Sequence, residues 1–417
     1  MPALPNSDMT ERLYYQNSFL YEFDAEVVAS VASADSRPAV ILDRTAFYPT
    51  SGGQVFDTGW ILPRDATDAK LGVIEVMETD DGQIIHILEK AASISKGTRV
   101  HGLIDVERRR DHMRHHSGQH VLSAAFVRLF NMPTVSFHMG AESCSIDLDT
   151  KTLSGAQIES AEALANEVVM ENRTVSICFV TQEEARGLGL RKIPPVKRDE
   201  LRLIEVHDFD LSACGGTHVA STAQIGSVLL RKTEKTRQGW RVEFVCGKRA
   251  VAAARHDYSV LAEAGGVLSS HIWDIPQQIR KMQDETRASR KEREHLMEEL
   301  ADGYATRLLA ETAEHKGRKF IVRIFADRDV AFIKLLAQRL SRQNSGAVAF
   351  LGTTSSQPAL VFAQSAGQPF DMGALMKEIL ARLGGRGGGS KDMAQGGPTQ
   401  IEGLEVALSD LAAGLRG

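Results

Sequence analysis

Two short stretches of this chain, HHSGQH at 115–120 and CGGTH at 214–218, decide its fold. In the first, His116 and His120 are four residues apart, so a helix presents both imidazoles on one face to a single ion. A long segment separates the two stretches, and an ion bound by both would fasten distant parts of the chain into one core. The sequence therefore predicts a fold built around a metal site.

The second stretch completes a set of four donors. Cys214 and His218 lie on either side of two glycines, which permit a turn tight enough to aim thiolate and imidazole the same way. Three nitrogens and one sulfur suit Zn²⁺ better than Mg²⁺ or Ca²⁺. The predicted zinc ligands are His116, His120, Cys214 and His218. Whether the ion is catalytic is left open, because four protein ligands close the tetrahedron and a catalytic zinc usually keeps one position free.

Length and composition bound the class of protein. The chain has 417 residues, of which 43% are hydrophobic, and this suffices for two or three domains. The four cysteines show no disulfide framework, and no apolar run approaches the roughly 20 residues of a membrane span. The first residues also lack a signal-peptide pattern. We therefore expect a cytoplasmic protein with no membrane partner.

The charge pattern points to a local rather than a global attraction for polyanions. A net charge of −5 creates no overall field that would draw the chain to nucleic acid. Basic residues nevertheless cluster at 108–114, 186–198 and 231–237, on either side of the two metal-binding stretches. Such runs are usually solvated faces, but three of them around one site indicate a polyanion approaching it.

Residues 1–100 predict a small, glycine-rich β-barrel-like domain. Its segments EVVAS, AVILD, KLGVIEVME and IIHILE alternate apolar and polar residues between turn signals. Within it, DRTAFYPTSGGQVFDTGW at 43–60 contains a proline and a Gly-Gly pair that force a tight loop before Gln54. A plain β-turn is the alternative interpretation of this loop.

Residues 101–265 predict the domain that would hold zinc. A helix at 105–130 carries the histidine pair, and a second helix is expected at 155–172. The segments TVSICFV, LRLIEVH, QIGSVLLRK and GWRVEFVCG are typical of strands. This pattern predicts an α+β arrangement, an antiparallel sheet with helices packed on one side.

Two further parts follow. Residues 266–316 are highly charged with a broken apolar seam, which predicts a helical linker rather than a coiled coil. Residues 317–417 alternate buried strands with helices and predict an α/β domain. Its segment GGRGGGSKDMAQGGP at 384–398 predicts a flexible linker, and a backbone cradle for phosphate, helped by Arg386 and Lys391, is the alternative.

Four motifs, in this order, resemble those of the freestanding alanyl-tRNA editing proteins, the AlaX group, which is similar to the editing domain of alanyl-tRNA synthetase. They are DRTAFYPTSGGQVFDTG, HHSGQHVLSAAF, DFDLSACGGTHVASTAQIG and GWRVEFVCG. Residues 317–417 resemble the DHHA1 domain found in the long form of that group. The resemblance implies an α+β editing core (a small β-barrel plus an antiparallel sheet packed with helices), a helical linker and a C-terminal α/β DHHA1-like domain.

The same resemblance implies a zinc-dependent hydrolase that removes serine wrongly attached to tRNA(Ala), with Gly-tRNA(Ala) as a second candidate substrate. The four predicted ligands fall on the zinc positions of the family, Thr45 on the threonine thought to recognise the serine hydroxyl, and Gln54 on the glutamine of the GGQ loop. Thr45 and Gln54 are therefore the expected catalytic residues. The residues expected to contact tRNA are Arg114, Arg241, Arg386 and Lys391. Trp240 stands where the family often has an arginine, which puts the contact at Arg241 in doubt. The C-terminal domain is expected to bind tRNA or to form a homodimer.

A physical argument supports selectivity for serine. An apolar pocket cannot strongly exclude an analogue that merely adds a hydroxyl. A Thr45 hydroxyl that lacks a partner would favour serine, because alanine would leave it unpaired. His138 in FHMG is the best spare acid–base candidate, although a structural role is commoner for such a histidine.

Two other classes of protein compete with the hydrolase interpretation. A non-catalytic tRNA-binding module with structural zinc is favoured by the closed set of four ligands. A DHH-type phosphoesterase is disfavoured, because Asp111-His112-Met113 breaks the DHH triplet and no aspartate set for paired Mn²⁺ is apparent. Aminoacylation is not expected, since too few residues precede the editing motifs for an ATP-dependent domain.

Overall fold

The computed structural model describes residues 9–33, 35–64, 70–91, 94–188, 190, 200–355 and 357–417. The chain divides into two compact units, Met1–Glu263 and Ala264–Gly417. The basic residues expected at 191–198 lie outside the described residues. In the described part of the chain, no helix combines the length and the apolar character needed to span a bilayer.

The first unit begins with a closed six-stranded barrel. The strands of this region, in chain order, are β1 (Glu11–Arg12), β2 (Glu22–Ala32), β3 (Pro38–Leu42), β4 (Arg44–Thr45), β5 (Gly59–Pro63), β6 (Leu71–Glu78), β7 (Ile84–Leu88) and β8 (Arg99–Ile104). The barrel closes in the order β2-β3-β7-β6-β5-β8, and β1 pairs with β4 in parallel. Side chains such as Val27, Leu42, Ile61 and Val100 fill its interior. The predicted small barrel is confirmed.

The rest of this unit is an α+β layer. Its elements are α1 (Val106–Phe130), β9 (Thr134–Met139), β10 (Cys144–Leu148), α2 (Gly155–Met170), β11 (Val175–Thr181), α3 (Gln182–Gly187), β12 (Glu200–Val206), β13 (Asp210–Ala213), β14 (Val228–Lys235), β15 (Trp240–Cys246) and α4 (Gly247–Val267). They form two antiparallel sheets, ordered β14-β15-β10-β9 and β11-β12-β13, rather than one. Residues of α1, α2 and both sheets share one apolar core.

The central helix α1 is defined by its caps and by its burial. Asp105 caps its first turn by accepting from the backbone N–H of Arg108, and Asn131 ends it in the left-handed conformation at φ 54°. Its second half is buried almost all round, from Val121 to Phe126 among apolar neighbours. The histidines it carries are therefore buried too, and buried polar rings need partners.

A buried ion pair fastens α1 to the barrel. Arg109 is completely buried, and its Nε lies 3.1 and 3.0 Å from the two carboxylate oxygens of Asp57. The same guanidinium donates to the carbonyls of Ser18, at 2.9 Å, and of Ala46. Arg109 is therefore not available to the polyanion that the basic cluster at 108–114 was expected to attract, because its guanidinium is enclosed.

The second unit is built on a five-stranded mixed sheet. Its elements are α5 (Ile275–Glu311), β16 (Lys319–Phe325), α6 (Val330–Gln343), β17 (Ala347–Thr353), β18 (Ala359–Gln364), α7 (Met372–Leu383), β19 (Gly385–Gly389), β20 (Met393–Pro398) and α8 (Leu404–Gly414). The order is β16-β17-β18-β20-β19, in which β16 and β17 are parallel and the other pairs antiparallel. One face packs against α5 and α6, the other against α7 and α8.

The helical segment expected at 266–316 is largely the single helix α5. Its early turns are exposed, whereas Ala301, Ala305 and Leu308 near its end are buried in the core of the second unit. The end of α5 therefore belongs to that core and contributes to its stability.

The flexible-linker prediction for 384–398 is wrong, because this segment is the β-hairpin β19–β20. β20 pairs with β18, with Leu360 opposite Gly396. A Cβ atom at Gly387 or Gly396 would lie 2.6 or 2.5 Å from Leu380 Cδ1 of α7. The glycines thus allow close packing of a helix on the hairpin and do not signal mobility.

Candidate metal centre

Four side chains from α1 and from the turn after β13 converge on one point. The ligand atoms of His116, His120, Cys214 and His218 all lie within 4.8 Å of one another. The three histidines are buried, and Cys214 is half-buried. Cys214 Sγ lies 3.3 Å from the Nε2 atoms of both His116 and His218. The structure therefore brings together the two stretches that the sequence singled out.

Each histidine of the cluster is held through Nδ1. The pairs are His116 with Gln54 Oε1 at 2.7 Å, His120 with Asp210 Oδ2 at 3.2 Å, and His218 with Ser117 Oγ at 3.1 Å. A carboxylate or amide oxygen accepts only, so Nδ1 carries the proton of His116 and His120. In the neutral imidazole this tautomer leaves Nε2 unprotonated and available to an ion, as outer partners of metal-binding histidines commonly arrange.

The electrostatics of the cluster favour a thiolate. Burial by itself would raise the pKa of Cys214, but the charges of His116 and His218 and hydrogen bonds from His116 and His120 outweigh it. The pKa of the thiol consequently lies well below its ordinary value. Burial lowers the pKa of His120, yet hydrogen bonds to Asp210 and Cys214 outweigh it and raise the pKa to about 9. The cluster therefore attracts positive charge, and the donor set fits Zn²⁺.

Two glycines make this geometry possible. A Cβ atom at Gly216 would lie 2.1 Å from Cε1 of His116, so only glycine lets the turn approach that ring. Gly53 has a φ of +86°, and a Cβ atom there would lie 2.3 Å from the carbonyl oxygen of Phe137. The Phe137 ring stacks on His116, with centroids 5.4 Å apart. The glycine loop thus packs against the strand whose aromatic ring covers the cluster.

Gln54 joins that glycine loop to both metal-binding stretches. It is completely buried, and its Oε1 accepts from His116 Nδ1 and from the backbone N–H of Thr217 at 3.1 Å. Its Nε2 donates to Thr217 Oγ1 at 2.8 Å. These contacts tie Gln54 to a predicted zinc ligand and to the CGGTH turn, and the catalytic role expected for it stays a prediction.

Thr45 lies inside the barrel with its hydroxyl engaged. It is completely buried, 2.8 Å from Nε2 of His86 on β7, and it accepts from the backbone N–H of Phe47 at 3.1 Å. His86 Nδ1 lies 3.2 Å from the carbonyl of Val40, which fixes the proton on Nδ1 and makes Nε2 the acceptor from Thr45. The expectation of a hydroxyl without a partner is wrong, although one lone pair of Thr45 Oγ1 remains.

Sequence reasoning missed Arg202, whose guanidinium supports the backbone of the CGGTH turn. It is 7% exposed, and Nη1 donates to the carbonyls of Cys214 at 2.6 Å and Gly216 at 3.0 Å. Its Nε donates to the carbonyl of Tyr15 at 2.9 Å. An arginine inside the apolar strand LRLIEV was the available signal, because a buried charge requires such partners.

His138 does not reach the cluster. It neighbours Phe137 on β9, and successive side chains of a strand point to opposite faces. Because Phe137 stacks on His116, His138 faces away, and its ring is largely exposed, 3.9 Å from Asp147. The acid–base role considered for His138 is therefore wrong.

The expected tRNA contacts occupy different places. Arg241 forms a two-pronged pair with Asp147, at 2.7 and 2.9 Å, on the same sheet as His138. Arg114 lies on α1, half-buried, two residues before His116. Arg386 and Lys391 are exposed on the β19–β20 hairpin in the second unit. The structure groups none of these four within the metal cluster.

The fold and the site together define a protein with a β-barrel, a buried His₃Cys cluster and a separate α/β unit. Known families match the same regions. The description "tRNA synthetases class II (A)" covers residues 4–108, "Threonyl and Alanyl tRNA synthetase second additional domain" covers 201–243, and "DHHA1 domain" covers 317–416. Two of these three descriptions are of tRNA-synthetase domains.

Similarity to individual proteins narrows this class. The chain is 31% identical over 418 residues to the alanyl-tRNA editing protein AlaX-L of Pyrococcus horikoshii, which covers 98% of the chain and 100% of that protein. It belongs to the alanyl-tRNA editing protein family, and the resemblance seen in the sequence is confirmed.

Alanine–tRNA ligases are similar over the same length. That of Archaeoglobus fulgidus is 34% identical over 408 residues, covering 96% of this chain and 43% of the ligase. That of Pyrococcus furiosus is 32% identical over 414 residues, covering 97% and 44%. The chain therefore spans under half the length of these ligases. A crystal structure of the C-Ala domain of Aquifex aeolicus alanyl-tRNA synthetase aligns with 26% of the chain at 21% identity, and its TM-score of 0.24 supports no argument.

Proposed function

We propose that this protein is a trans-editing hydrolase that cleaves the ester between serine and tRNA(Ala), with the glycine ester as a second substrate. The observation that carries the proposal is the buried His₃Cys cluster with its Nε2 atoms and thiolate convergent, in a chain of the alanyl-tRNA editing family. His116, His120, Cys214 and His218 would hold zinc, which would supply a Lewis acid beside the ester or the terminal ribose.

The other side chains of the site would position the metal-binding residues and enclose them. Gln54 and Arg202 hold the two metal-binding stretches in register, through His116 and through the carbonyls of Cys214 and Gly216. Phe137 covers one side of the His116 ring and excludes water there. Such fixed groups reduce the reorganisation that would otherwise accompany the reaction.

Selectivity for serine would depend on Thr45. Its hydroxyl proton goes to His86 and one lone pair accepts from Phe47, so the remaining lone pair can accept from the hydroxyl of a serine ester. Alanine and glycine offer no such donor, so this contact would favour serine over both by about one neutral hydrogen bond, and rejection of alanine would need a further element of the pocket around its methyl group. Because Thr45 is fully buried, the residues that cover it would have to move when the ester enters.

Contacts to the tRNA backbone would come from half-buried arginines of the first unit and exposed cations of the second. Arg114 and Arg241 belong to the first unit, and Arg386 and Lys391 to the hairpin of the second. Such contacts fix orientation without reading sequence. The second unit would also serve to form a homodimer.

A second candidate is a non-catalytic tRNA-binding module stabilised by zinc. It is favoured by the complete set of four donors, because a structural zinc site is closed whereas a catalytic one keeps a position open. A phosphoesterase is disfavoured, since the metal-binding group found among the described residues is a His/Cys cluster and not a carboxylate pair.

The deciding experiment follows the loss of label from Ser-tRNA(Ala), Gly-tRNA(Ala) and Ala-tRNA(Ala) in parallel with the full chain. We expect fast release of serine, slower release of glycine and no release of alanine beyond the spontaneous rate. Binding of all three without cleavage of any would contradict the hydrolase and establish the binding module. Equal cleavage of all three would contradict the proposed selectivity.

A further inference from the structure

Residues 11–18, here called segment 11–18, connect the strand of Thr45 with the metal-binding CGGTH turn. The first two residues of the segment form β1, which pairs in parallel with β4, and Arg12 lies opposite Thr45 in that pair. Its last residue, Ser18, is buried and hydrogen-bonded to the backbone of the turn. The segment therefore contacts both parts of the site that the proposed reaction would use.

Ser18 holds the end of the turn. Its Oγ accepts from the backbone N–H of His218, a buried predicted zinc ligand, at 3.1 Å. Its carbonyl accepts from Nη1 of Arg109 at 2.9 Å, and Arg109 pairs with Asp57 in the barrel loop. Because a buried N–H needs an acceptor, the hydroxyl of Ser18 fixes where the backbone of His218 lies.

Tyr15 connects segment 11–18 to the beginning of the turn. Its carbonyl accepts from Nε of Arg202 at 2.9 Å, and the same guanidinium donates to the carbonyls of Cys214 and Gly216. Its ring lies beside Gly215, where an added Cβ atom would be 3.4 Å from Tyr15 Oη. The guanidinium carbon of Arg202 lies 5.5 Å from the centre of that ring. The turn is thus held near its first residue as well as at its last.

The other end of segment 11–18 is fixed to the barrel. Arg12 forms an ion pair with Glu78 on β6, and its Nη1 donates to Tyr15 Oη at 2.9 Å. The buried ring of Tyr14 packs edge-on against that of Tyr48, with centroids 5.2 Å apart. Since both ends are fixed, the segment determines how far the CGGTH turn lies from β4.

We propose that Ser18 is a positioning residue of the metal centre, and that segment 11–18 sets the distance between the metal-binding turn and the strand of Thr45. Ser18 acts through the backbone of His218. Without its hydroxyl, the N–H of His218 loses a buried acceptor, and the turn has to be ordered when zinc binds. The effect on zinc binding depends on the donor set alone, whereas the effect on ester cleavage rests on the proposed function.

The first test measures zinc affinity in the full chain by competition with a chromogenic chelator. We expect Ser18→Ala to lower the affinity about 3- to 30-fold, because a partner that orients a ligand is lost. Ser18→Thr keeps the hydroxyl and should restore the affinity. The visible absorption bands of bound Co²⁺, which report the geometry of the donor set, should shift in Ser18→Ala and not in Ser18→Thr.

A second variant probes the other attachment of the turn. One ammonium group cannot replace the planar fork that joins the carbonyl of Tyr15 to those of Cys214 and Gly216. Arg202→Lys should therefore also lower zinc affinity and shift the Co²⁺ bands. This variant tests the proposal independently if Ser18→Ala does not fold.

Thr222→Val is the matched control. The Thr222 hydroxyl is buried and accepts from the backbone N–H of Arg173 at 2.8 Å, so this variant loses the same kind of hydrogen bond elsewhere in the first unit. It should lower the free energy of unfolding and leave zinc affinity and the Co²⁺ bands unchanged.

Cleavage at saturating zinc tests the spacing between the turn and β4. We expect Ser18→Ala to lower kcat for serine release from Ser-tRNA(Ala) about 3- to 30-fold, because misplaced groups react slowly. The Kd for uncharged tRNA(Ala) should stay at the wild-type value, since Ser18 is buried.

Three results would overturn the proposal. They are an unchanged zinc affinity in Ser18→Ala, an unchanged zinc affinity in Arg202→Lys, and a loss in Thr222→Val as large as that in Ser18→Ala. If the wild type cleaves no ester while Ser18→Ala still weakens zinc binding, the proposed function fails and the positioning role of Ser18 stands. If the wild type binds no zinc, both fail.

Discussion

Gln54 links a barrel loop to a helix and a turn that are far from it in sequence. Replacement by alanine would leave the N–H groups of His116 and Thr217 without a buried acceptor. We expect Gln54→Ala to lower zinc affinity about 10- to 100-fold, because loss of an outer partner loosens the ring it orients. Competition with a chromogenic chelator measures this. Gln364→Ala, a buried glutamine of the second unit, should leave zinc affinity unchanged.

We predict that Thr45 distinguishes serine esters from glycine esters. Thr45→Val removes the hydroxyl, so cleavage of Ser-tRNA(Ala) should fall about 2- to 10-fold in kcat/KM, the equivalent of one neutral hydrogen bond. Gly-tRNA(Ala), which has no hydroxyl to present, should be cleaved at the wild-type rate. Thr45→Ser keeps the contacts to His86 and Phe47 and should behave as wild type. Equal losses on both esters in Thr45→Val would argue against serine recognition.

His86 makes the barrel sensitive to acid. Burial lowers its pKa from 6.5 to about 4. Because the unfolded chain binds the proton more readily, the stabilising contribution is complete above the unfolded value and is lost as the pH falls toward the folded one. The contribution is roughly 3 kcal/mol. His86→Gln should flatten the loss of urea stability between pH 6.5 and about 4, whereas His138→Gln, at an exposed ring, should not. An unchanged slope in His86→Gln would exclude this source.

At the scale of elements, the β19–β20 hairpin shows why glycine content was misread. Gly387→Ala or Gly396→Ala would place a methyl group 2.6 or 2.5 Å from Leu380 of α7 and should destabilise the second unit by about 1–3 kcal/mol. Gly388→Ala is the matched control, because nothing lies within 4 Å of its added Cβ. Chemical denaturation measures all three. Equal free energies of unfolding for the three variants would indicate that the β19–β20 hairpin is loosely packed.

Local sequence patterns predicted the helices and strands better than they predicted which residues contact each other. The spacing of His116 and His120 requires a helix face, and the alternation in β6 and β7 requires strands, so both were readable from short windows. Gln54 and His116, which form a hydrogen bond, are separated by 62 positions in the sequence. Only the folded chain brings such residues together, which is why the contacts of Gln54 with the cluster and the role of Arg202 in the CGGTH turn could not be predicted from the sequence.

Individual arginines were misjudged for the same reason. A run such as that at 108–110 gives no sign of which side chain turns inward. Arg109 pairs with buried Asp57, whereas Arg110 is exposed beside Tyr21. The position of an arginine on the helix does not by itself decide whether it is buried, because the carboxylate that pairs with Arg109 lies in a barrel loop 52 positions away.

At the scale of the whole molecule, the chain combines a barrel, a metal-binding α+β layer and a separate unit with its own two-sided sheet. The cluster joins α1 to the turn after β13, so zinc would stabilise the first unit and leave the core of the second unaffected. We therefore expect the proposed editing activity to follow zinc occupancy of the cluster in the first unit.

The most direct measurement is the rate of serine release from Ser-tRNA(Ala) as zinc is titrated into metal-stripped protein. We predict that activity rises linearly and saturates at one zinc per chain, with Ala-tRNA(Ala) uncleaved throughout. Full activity in the stripped protein, or none at saturation while tRNA(Ala) remains bound, would contradict the proposal that this cluster is the centre of an editing hydrolase.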